Sequence, residues 1–172
     1  MSKSEIRLVH PSEWQTAGIF KTMKEIKLSV ISPKSKDYAK ELELRNEVLW
    51  KTSGLNIYDK PLNESEDYHI IAKNLDDVIG CLLLTKIDDI SLKMREVAVH
   101  QSMRGFGIGK IIIAFSEEIA KQNGFKKIVI SNARLNVVSF YEKQGYSIVG
   151  DQFIEFGIPR RKMEKFLYKE IM

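Results

Sequence analysis

Apolar and polar positions alternate along Lys24 to Ile31, with Ile26, Leu28 and Val30 on one side, which predicts a strand that Pro33 stops. Ser35 is placed to cap a helix running to about Trp50, with Tyr38, Ala39, Leu42 and Leu49 marking its buried side. Residues 51–66 contain Gly54, Pro61 and several polar residues, so they predict a long loop holding at most one short turn of helix. Three strands are expected next. The first is Asp67 to Ala72. The second is Val78 to Ile87, whose nearly continuous apolar run (Ile79, Cys81, Leu82, Leu83, Leu84) suits a strand covered on both faces. After a turn at Asp88-Asp89, the third runs from Ile90 to His100. Its apolar residues fall at 90, 92 and 94 and then at 97 and 99. A period-2 strand changes phase only by inserting a residue, so a β-bulge is expected at Arg95-Glu96.

Helical periodicity takes over at Ile108, where Ile108, Ile111, Ile112, Phe115 and Ile119 share one face as far as Asn123, and Gly124 ends the helix with Lys121 in its last turn. Ile128-Val129-Ile130 then reads as a buried strand, making a right-handed βαβ crossover with a parallel strand pair. A second helix is expected from about Asn136 to Gln144, stopped by Gly145. Short strands at Tyr146 to Val149, Phe153 to Phe156 and Met163 to Tyr168 complete the order. The class is mixed α/β, an antiparallel meander followed by a parallel crossover. Residues 1–23 stand apart as an N-terminal extension. In it Ile6 to Val9 suits a strand and Pro11 to Trp14 the start of a short helix, and a docked arm suits both equally well. Residues 24–172 form the main domain.

Composition changes this picture little. A chain of 172 residues, 44% hydrophobic and 29% charged, is sized for one globular domain with a substantial core. The net charge of +4 is mild and dispersed; it suits an anionic ligand and argues against nucleic acid. One cysteine, Cys81, cannot form an internal disulfide, which makes a reducing cytoplasm the expected compartment. No apolar run approaches the ~18 residues of a membrane span, and the N-terminus lacks the apolar block of a signal peptide.

The chemistry concentrates at Arg104-Gly105-Phe106-Gly107-Ile108-Gly109-Lys110, between the bulged strand and the amphipathic helix. Strand, glycine turn and helix N-terminus together make an anion site, because glycine lets backbone approach a ligand and first-turn N–H groups lack helical partners. A Walker loop is excluded: only three residues separate Gly105 from Gly109, and Ile111 stands where a hydroxyl would meet magnesium. A dinucleotide fingerprint is excluded too, since the third glycine comes one residue early and Lys110 fills its place. What remains is Arg/Gln-x-x-Gly-x-Gly, met by Arg104, Gly107 and Gly109. It resembles the acetyl-CoA loop of the GNAT superfamily of N-acetyltransferases. About thirty residues on, Asn136-Val137-Val138-Ser139-Phe140-Tyr141-Glu142-Lys143-Gln144-Gly145-Tyr146 is similar to that superfamily's second motif. The resemblance covers roughly residues 25 to 170 and implies the GNAT, or acyl-CoA N-acyltransferase, fold: a mixed, mostly antiparallel sheet with a bulged strand, flanked by helices. Leu44-Arg45-Asn46-Glu47-Val48-Leu49 and Phe156-Gly157-Ile158-Pro159 further resemble a subgroup with a Gly-Ile-Pro-His ending, although Arg160 stands here for the histidine.

The resemblance implies acetyl transfer from acetyl-CoA to an amine by direct attack in a ternary complex, without a metal. It places the CoA pyrophosphate on backbone N–H groups from Arg104 through Gly105, Gly107, Ile108 and Gly109 to Lys110, and the pantetheine arm along Val97 and Val99. Asn136 would bond CoA, or else serve as the helix N-cap. Tyr141 would protonate the leaving thiolate, or else pack with Phe140. An amine that titrates near ~10.4 gains from a base at pH 7. Glu96, at the bulge, is the first candidate; His69, His100 and Glu155 follow. Cys81 reads as inert core. The basic ending (Arg160, Arg161, Lys162, Lys165, Lys169) reads as a solvated face. The expected partner is a small-molecule or peptide amine, with a homodimer as a further candidate; the different-class alternative is a CoA-binding module without turnover.

Overall fold

The computed structural model describes residues 6–9 and 26–168. The expected helix start at Pro11 to Trp14, and Lys169, lie outside them. The chain divides into two compact units, Met1–Leu83 with Glu96–Phe115 and Leu84–Arg95 with Ser116–Met172.

In the first unit the strand order is β1 (Ile6–Val9), β2 (Ile26–Ile31), β3 (Tyr68–Asn74), β4 (Asp77–Lys86) and β5 (Ser91–Val99), the last two continuing into the second unit. β1 pairs antiparallel with β2, Ile6 opposite Ser29, and β2 with β3, Ile26 opposite Asn74. Val78 through Leu84 are buried without interruption, as a strand covered on both faces requires. Leu44, Ile71, Val78, Cys81 and Ala98 form one apolar cluster of this unit, with Ile31, Val48 and Leu49 packed against it.

The expected helix from Ser35 to Trp50 is two segments, and a 3-10 turn follows them at the start of the expected loop. α1 spans Tyr38–Arg45, a π-helical turn spans Asn46–Trp50, and a 3-10 turn spans Lys51–Ser53. Its buried side also differs from expectation. Glu41, Leu44, Arg45 and Asn46 are buried, while Ala39 is exposed and Tyr38, Leu42 and Leu49 are half-buried. Apolar periodicity fails here because the buried polar residues are paired to distant partners.

In the second unit the order is β5, β6 (Lys127–Arg134), β8 (Ile158–Phe166) and β7 (Ser147–Glu155). β5 and β6 are parallel, Ser91 opposite Lys127 through Lys93 opposite Val129, so the crossover is as expected. The crossover helix, α2 (Ile108–Gln122), begins in the first unit and ends in the second, and Gly124 at φ +83° terminates it. α3 spans Leu135–Lys143. The three short strands expected after it are instead one long hairpin. Gly150 at φ +72° is absorbed as an irregularity within β7, and Phe156-Gly157, at φ +51° and +74°, makes the two-residue turn. The fold is the GNAT, acyl-CoA N-acyltransferase type: a mixed sheet, mostly antiparallel with one parallel pair, flanked by helices.

Candidate functional site

Glu96 breaks the regular backbone of β5 at φ +54°, a left-handed conformation unusual for a side chain with a Cβ, at the position where the apolar phase slips. Beyond it Ala98 is buried, and Val97 and Val99 are half-buried and so keep surface for a ligand. The strand ends at His100, whose N–H donates to the Ile79 carbonyl at 2.8 Å and whose Nδ1 accepts from the Ser102 N–H at 3.2 Å, opening the 3-10 turn Gln101–Met103. Arg104 to Gly107 form the next turn. Gly105 and Gly107 sit at φ +84° and +80°, and a Cβ built on either meets nothing within 4 Å. The backbone there is open as well as left-handed, which is what a cradle for a large anion requires. Ile108, 2% exposed, anchors the start of α2, while Arg104 and Lys110 are exposed and Gly109 is half-buried. An anion at such a helix N-terminus gains ~0.3–1 kcal/mol when exposed and up to ~2 when partly buried.

Gly80 of β4 lies directly under the first turns of α2. A Cβ at Gly80 would stand 2.5 Å from Ile112 Cδ1 and 3.2 Å from Ile108 Cγ2, so the missing side chain brings the first turns of the helix onto β4. The available signal was a glycine inside an apolar strand run, which marks close approach of another element.

Arg45 is the centre of a buried charged cluster that apolar periodicity does not mark. Its side chain is 0% exposed, and each of its three guanidinium nitrogens donates to one of two carboxylates. Nη1 and Nη2 donate to Glu64 Oε1 and Oε2 at 2.7 and 3.0 Å, and Nε donates to Glu96 Oε2 at 3.0 Å. Trp50 Nε1 donates to the same Glu96 oxygen at 3.0 Å, and Tyr38 donates its hydroxyl to Glu64 Oε1 at 2.8 Å. Burial opposes charge on Arg45, but the Glu64 hydrogen bonds and the pull of Glu96 outweigh it and raise its pKa further. The same balance runs the other way at Glu64: burial raises its pKa, and Arg45 and Tyr38 more than reverse this and leave it below the usual value. Burial, then Glu64, pushes the Tyr38 hydroxyl up.

His69 extends the cluster. Its Nδ1 lies 3.0 and 3.1 Å from the oxygens of Glu41, and Nε2 lies 2.8 Å from the Glu64 carbonyl oxygen. Acceptor oxygens flank both nitrogens, an arrangement that favours the doubly protonated ring. Burial draws its pKa down; the Glu41 carboxylate outweighs that and holds it above the ordinary value. A cavity of about 480 Å³ beside this cluster is lined by Tyr38, Ile57, Tyr58, Leu62 and Glu64, among others, and uses the predicted loop 51–66.

In the second unit Asn136 is exposed within the first turn of α3. Arg134, not Asn136, is the N-cap, so the capping role expected as its alternative does not apply. Tyr141 is 8% exposed and packs edge-on against Phe140 and Tyr146; burial pushes its hydroxyl up to about 12, so it stays a proton donor at neutral pH. Glu155 is taken up by Arg160 Nε at 3.1 Å and by Asn132 Nδ2 at 3.0 Å. Cys81 is 0% exposed and burial raises its thiol pKa, as inert core demands.

Among the described residues no group of acidic, histidine or cysteine side chains is arranged to hold a metal, and no helix is long and apolar enough to cross a membrane.

Comparison with known proteins gives a consistent result. The sequence model of the acetyltransferase (GNAT) family matches residues 36–146. The protein YyaT of Bacillus subtilis is 33% identical over 79 residues, covering 46% of this chain and 53% of YyaT, so the match spans about half the length of that relative. A crystal structure from Lactobacillus plantarum, provisionally named an N-acetyltransferase, is 25% identical with a TM-score of 0.73, covering 82% of this chain and 99% of that one. A GNAT family acetyltransferase from Elizabethkingia anophelis, solved with acetyl-CoA bound, shares the fold at 18% identity and a TM-score of 0.61, covering 82% and 97%.

Proposed function

The chain belongs to the acetyltransferase (GNAT) family, and from that premise we propose that residues 24–172 form an acetyl-CoA-dependent N-acetyltransferase acting on an amine by direct attack in a ternary complex. The observation that carries the reading is the open, left-handed glycine turn at the N-terminus of α2. Backbone N–H groups from Gly105 to Lys110 hold the pyrophosphate, while the Arg104 N–H already bonds the Gln101 carbonyl and the exposed Arg104 and Lys110 side chains add positive charge. Val97 and Val99, half-buried after the bulge, lie along the pantetheine arm, whose amides pair with strand backbone. Asn136, exposed and free of a capping role, bonds CoA. The thioester supplies an activated acetyl group with a stable leaving thiolate.

Tyr141 gives that thiolate its proton. Its burial supports the role, because a hydroxyl held near 12 is protonated throughout the neutral range. Glu96 takes the proton of the acceptor amine. Both of its donors, Arg45 and Trp50, reach Oε2, and Oε1 has no hydrogen bond among the described residues. The acceptor enters on the side of residues 51–69, where Tyr58, Ile57 and Leu62 line the 480 Å³ cavity.

A CoA-binding module without turnover is the second reading, and one observation favours it: the candidate base sits in a partly buried ion pair, as a purely structural carboxylate would. Release of free thiol from acetyl-CoA, followed over a panel of primary amines, separates the two. The enzyme reading expects turnover with at least one amine and a fall of about 10² in kcat for Tyr141→Phe at unchanged CoA affinity. Binding without turnover, with Tyr141→Phe inert, selects the module.

Self-association is proposed on separate grounds. β7 ends the strand order of its unit, nine residues long, with Ile154 on it 70% exposed and Phe156 in the turn beyond it 93% exposed, and such an edge supports a homodimer. Sedimentation at micromolar concentration tests it; a monomer there sinks it.

A further inference from the structure

Arg45 and Trp50 are five residues apart, and both donate to one oxygen of one carboxylate. An α-helix, with about 3.6 residues per turn, puts residues five apart on different faces. The chain solves this with its π turn. Lys51 N–H bonds the Asn46 carbonyl and Leu55 N–H bonds the Trp50 carbonyl, both five residues back, and such an i→i+5 ladder carries Trp50 around to the side already occupied by Arg45. The turn is fixed from outside as well, because the Asn46 side-chain oxygen accepts the buried Ile57 N–H at 2.9 Å. A π turn is a rare conformation with poorer hydrogen-bond economy than α, and it lies here where two donors must converge.

We infer that Arg45 and Trp50 are positioning residues: together they grip Glu96 by Oε2 at the bulge, and so reserve Oε1 for the proton of the acceptor amine. The inference rests on the reading of Glu96 as the base. Arg45 cannot move, since Glu64 holds its other two nitrogens and Tyr38 holds Glu64. Glu96 itself is held in the left-handed region, a costly conformation that a double clamp can sustain. The grip is asymmetric in depth: Arg45 is 0% exposed and Glu96 is 18% exposed by side chain, so the carboxylate bridges a sealed interior and a wetter surface. The ionisable groups facing Glu96 and its clamp are Arg45 from α1, Glu64 from the loop before β3, the Glu41–His69 pair behind it, and the Cys81 thiol of β4, whose Sγ lies 3.7 Å from the Glu96 carbonyl oxygen. Of these Arg45 is the one that touches the carboxylate. Trp50 is therefore the adjustable member of the clamp, neutral and half-buried.

Trp50→Phe keeps the ring and removes one donor. The carboxyl of Glu96 is followed by 13C NMR on the full chain labelled at glutamate, its signal assigned by Glu96→Gln. The expected result is an upward displacement of the Glu96 titration by about one pH unit, the size of one charge-assisted hydrogen bond. The acid limb of kcat/KM for the best amine of the panel should move by the same amount, with KM for acetyl-CoA unchanged. Arg45→Lys, which cannot serve both carboxylates, should move both readouts further in the same direction. An unmoved Glu96 titration overturns the clamp whether or not the protein is an enzyme. A moved titration with an unmoved acid limb overturns the positioning role and leaves acetyl transfer standing. A moved titration in a protein that turns over no amine refutes Glu96 as base, and with it both this inference and the enzyme reading.

Discussion

The glycine turn at 104–110 and the charged cluster around Arg45 are both built around negative charge, but from opposite materials. The turn offers chiefly backbone, with the exposed Arg104 and Lys110 at its two ends. Its geometry is set by residues adjacent in sequence, two of them left-handed glycines with open space around them. The cluster is built mainly from side chains, and its members come from far apart: 19 residues separate Arg45 from Glu64 and 51 separate it from Glu96. In the proposed reading the turn awaits an exterior ligand, and the chain leaves the space around its two left-handed glycines open. The cluster is completed by the chain itself and is nearly sealed, with Arg45 at 0% and the Glu64 side chain at 3% exposure. A preorganised turn costs little when empty because water solvates its N–H groups. A buried guanidinium that loses a carboxylate has no such recourse.

That contrast can be broken most directly at Arg45. Arg45→Met strands Glu64 and Glu96 and should cost about 3–5 kcal/mol of stability in denaturant unfolding, whether or not CoA is bound. A cost below about 1 kcal/mol would mean that water or rearrangement serves the carboxylates equally well, and the cluster would not differ in kind from a surface pair.

Gly107→Val should do the reverse: abolish acetyl-CoA binding in calorimetry and leave the fold, with a left-handed penalty of roughly 1–2 kcal/mol because open space surrounds the position. Unchanged affinity would remove the turn from the donor site.

The smallest effect sharpens the comparison through pH. His69 has a folded pKa raised above its ordinary ~6.5 by Glu41, so its contribution is fully present below that value and is lost as pH rises through the folded pKa. The gap in Tm between the wild type and His69→Gln should therefore narrow from about pH 6 to pH 9. The offset of Gly107→Val, which involves no titrating pair, should stay level over the same range. A gap for His69→Gln that does not change with pH would show that the ring is neutral and that the proton sits on Glu41.

How much was legible follows the same division. A break in β5 was legible because a change in apolar alternation is a local event, and the backbone departs from the strand at Glu96, with φ +54°. The bounds of the crossover helix and of the one helix after it were legible to within a residue or so, because each has its own apolar period and its own glycine stop. β7 was read as two short strands because Gly150 breaks the pattern. Pairing with β8 on both sides of the irregularity carries the strand through it. The first helix was misread on its buried face, since periodicity counts apolar residues and this face buries Glu41, Arg45 and Asn46.

The sequence by itself determined where an anion could bind, because φ at a glycine, free N–H groups at a helix start and the period of a strand are properties of neighbouring residues. Only the tertiary structure decided which carboxylates are paired. The pairing energy of Arg45, Glu64 and Glu96 depends on distance and desolvation, and both are fixed by the packing of segments that the chain order leaves far apart.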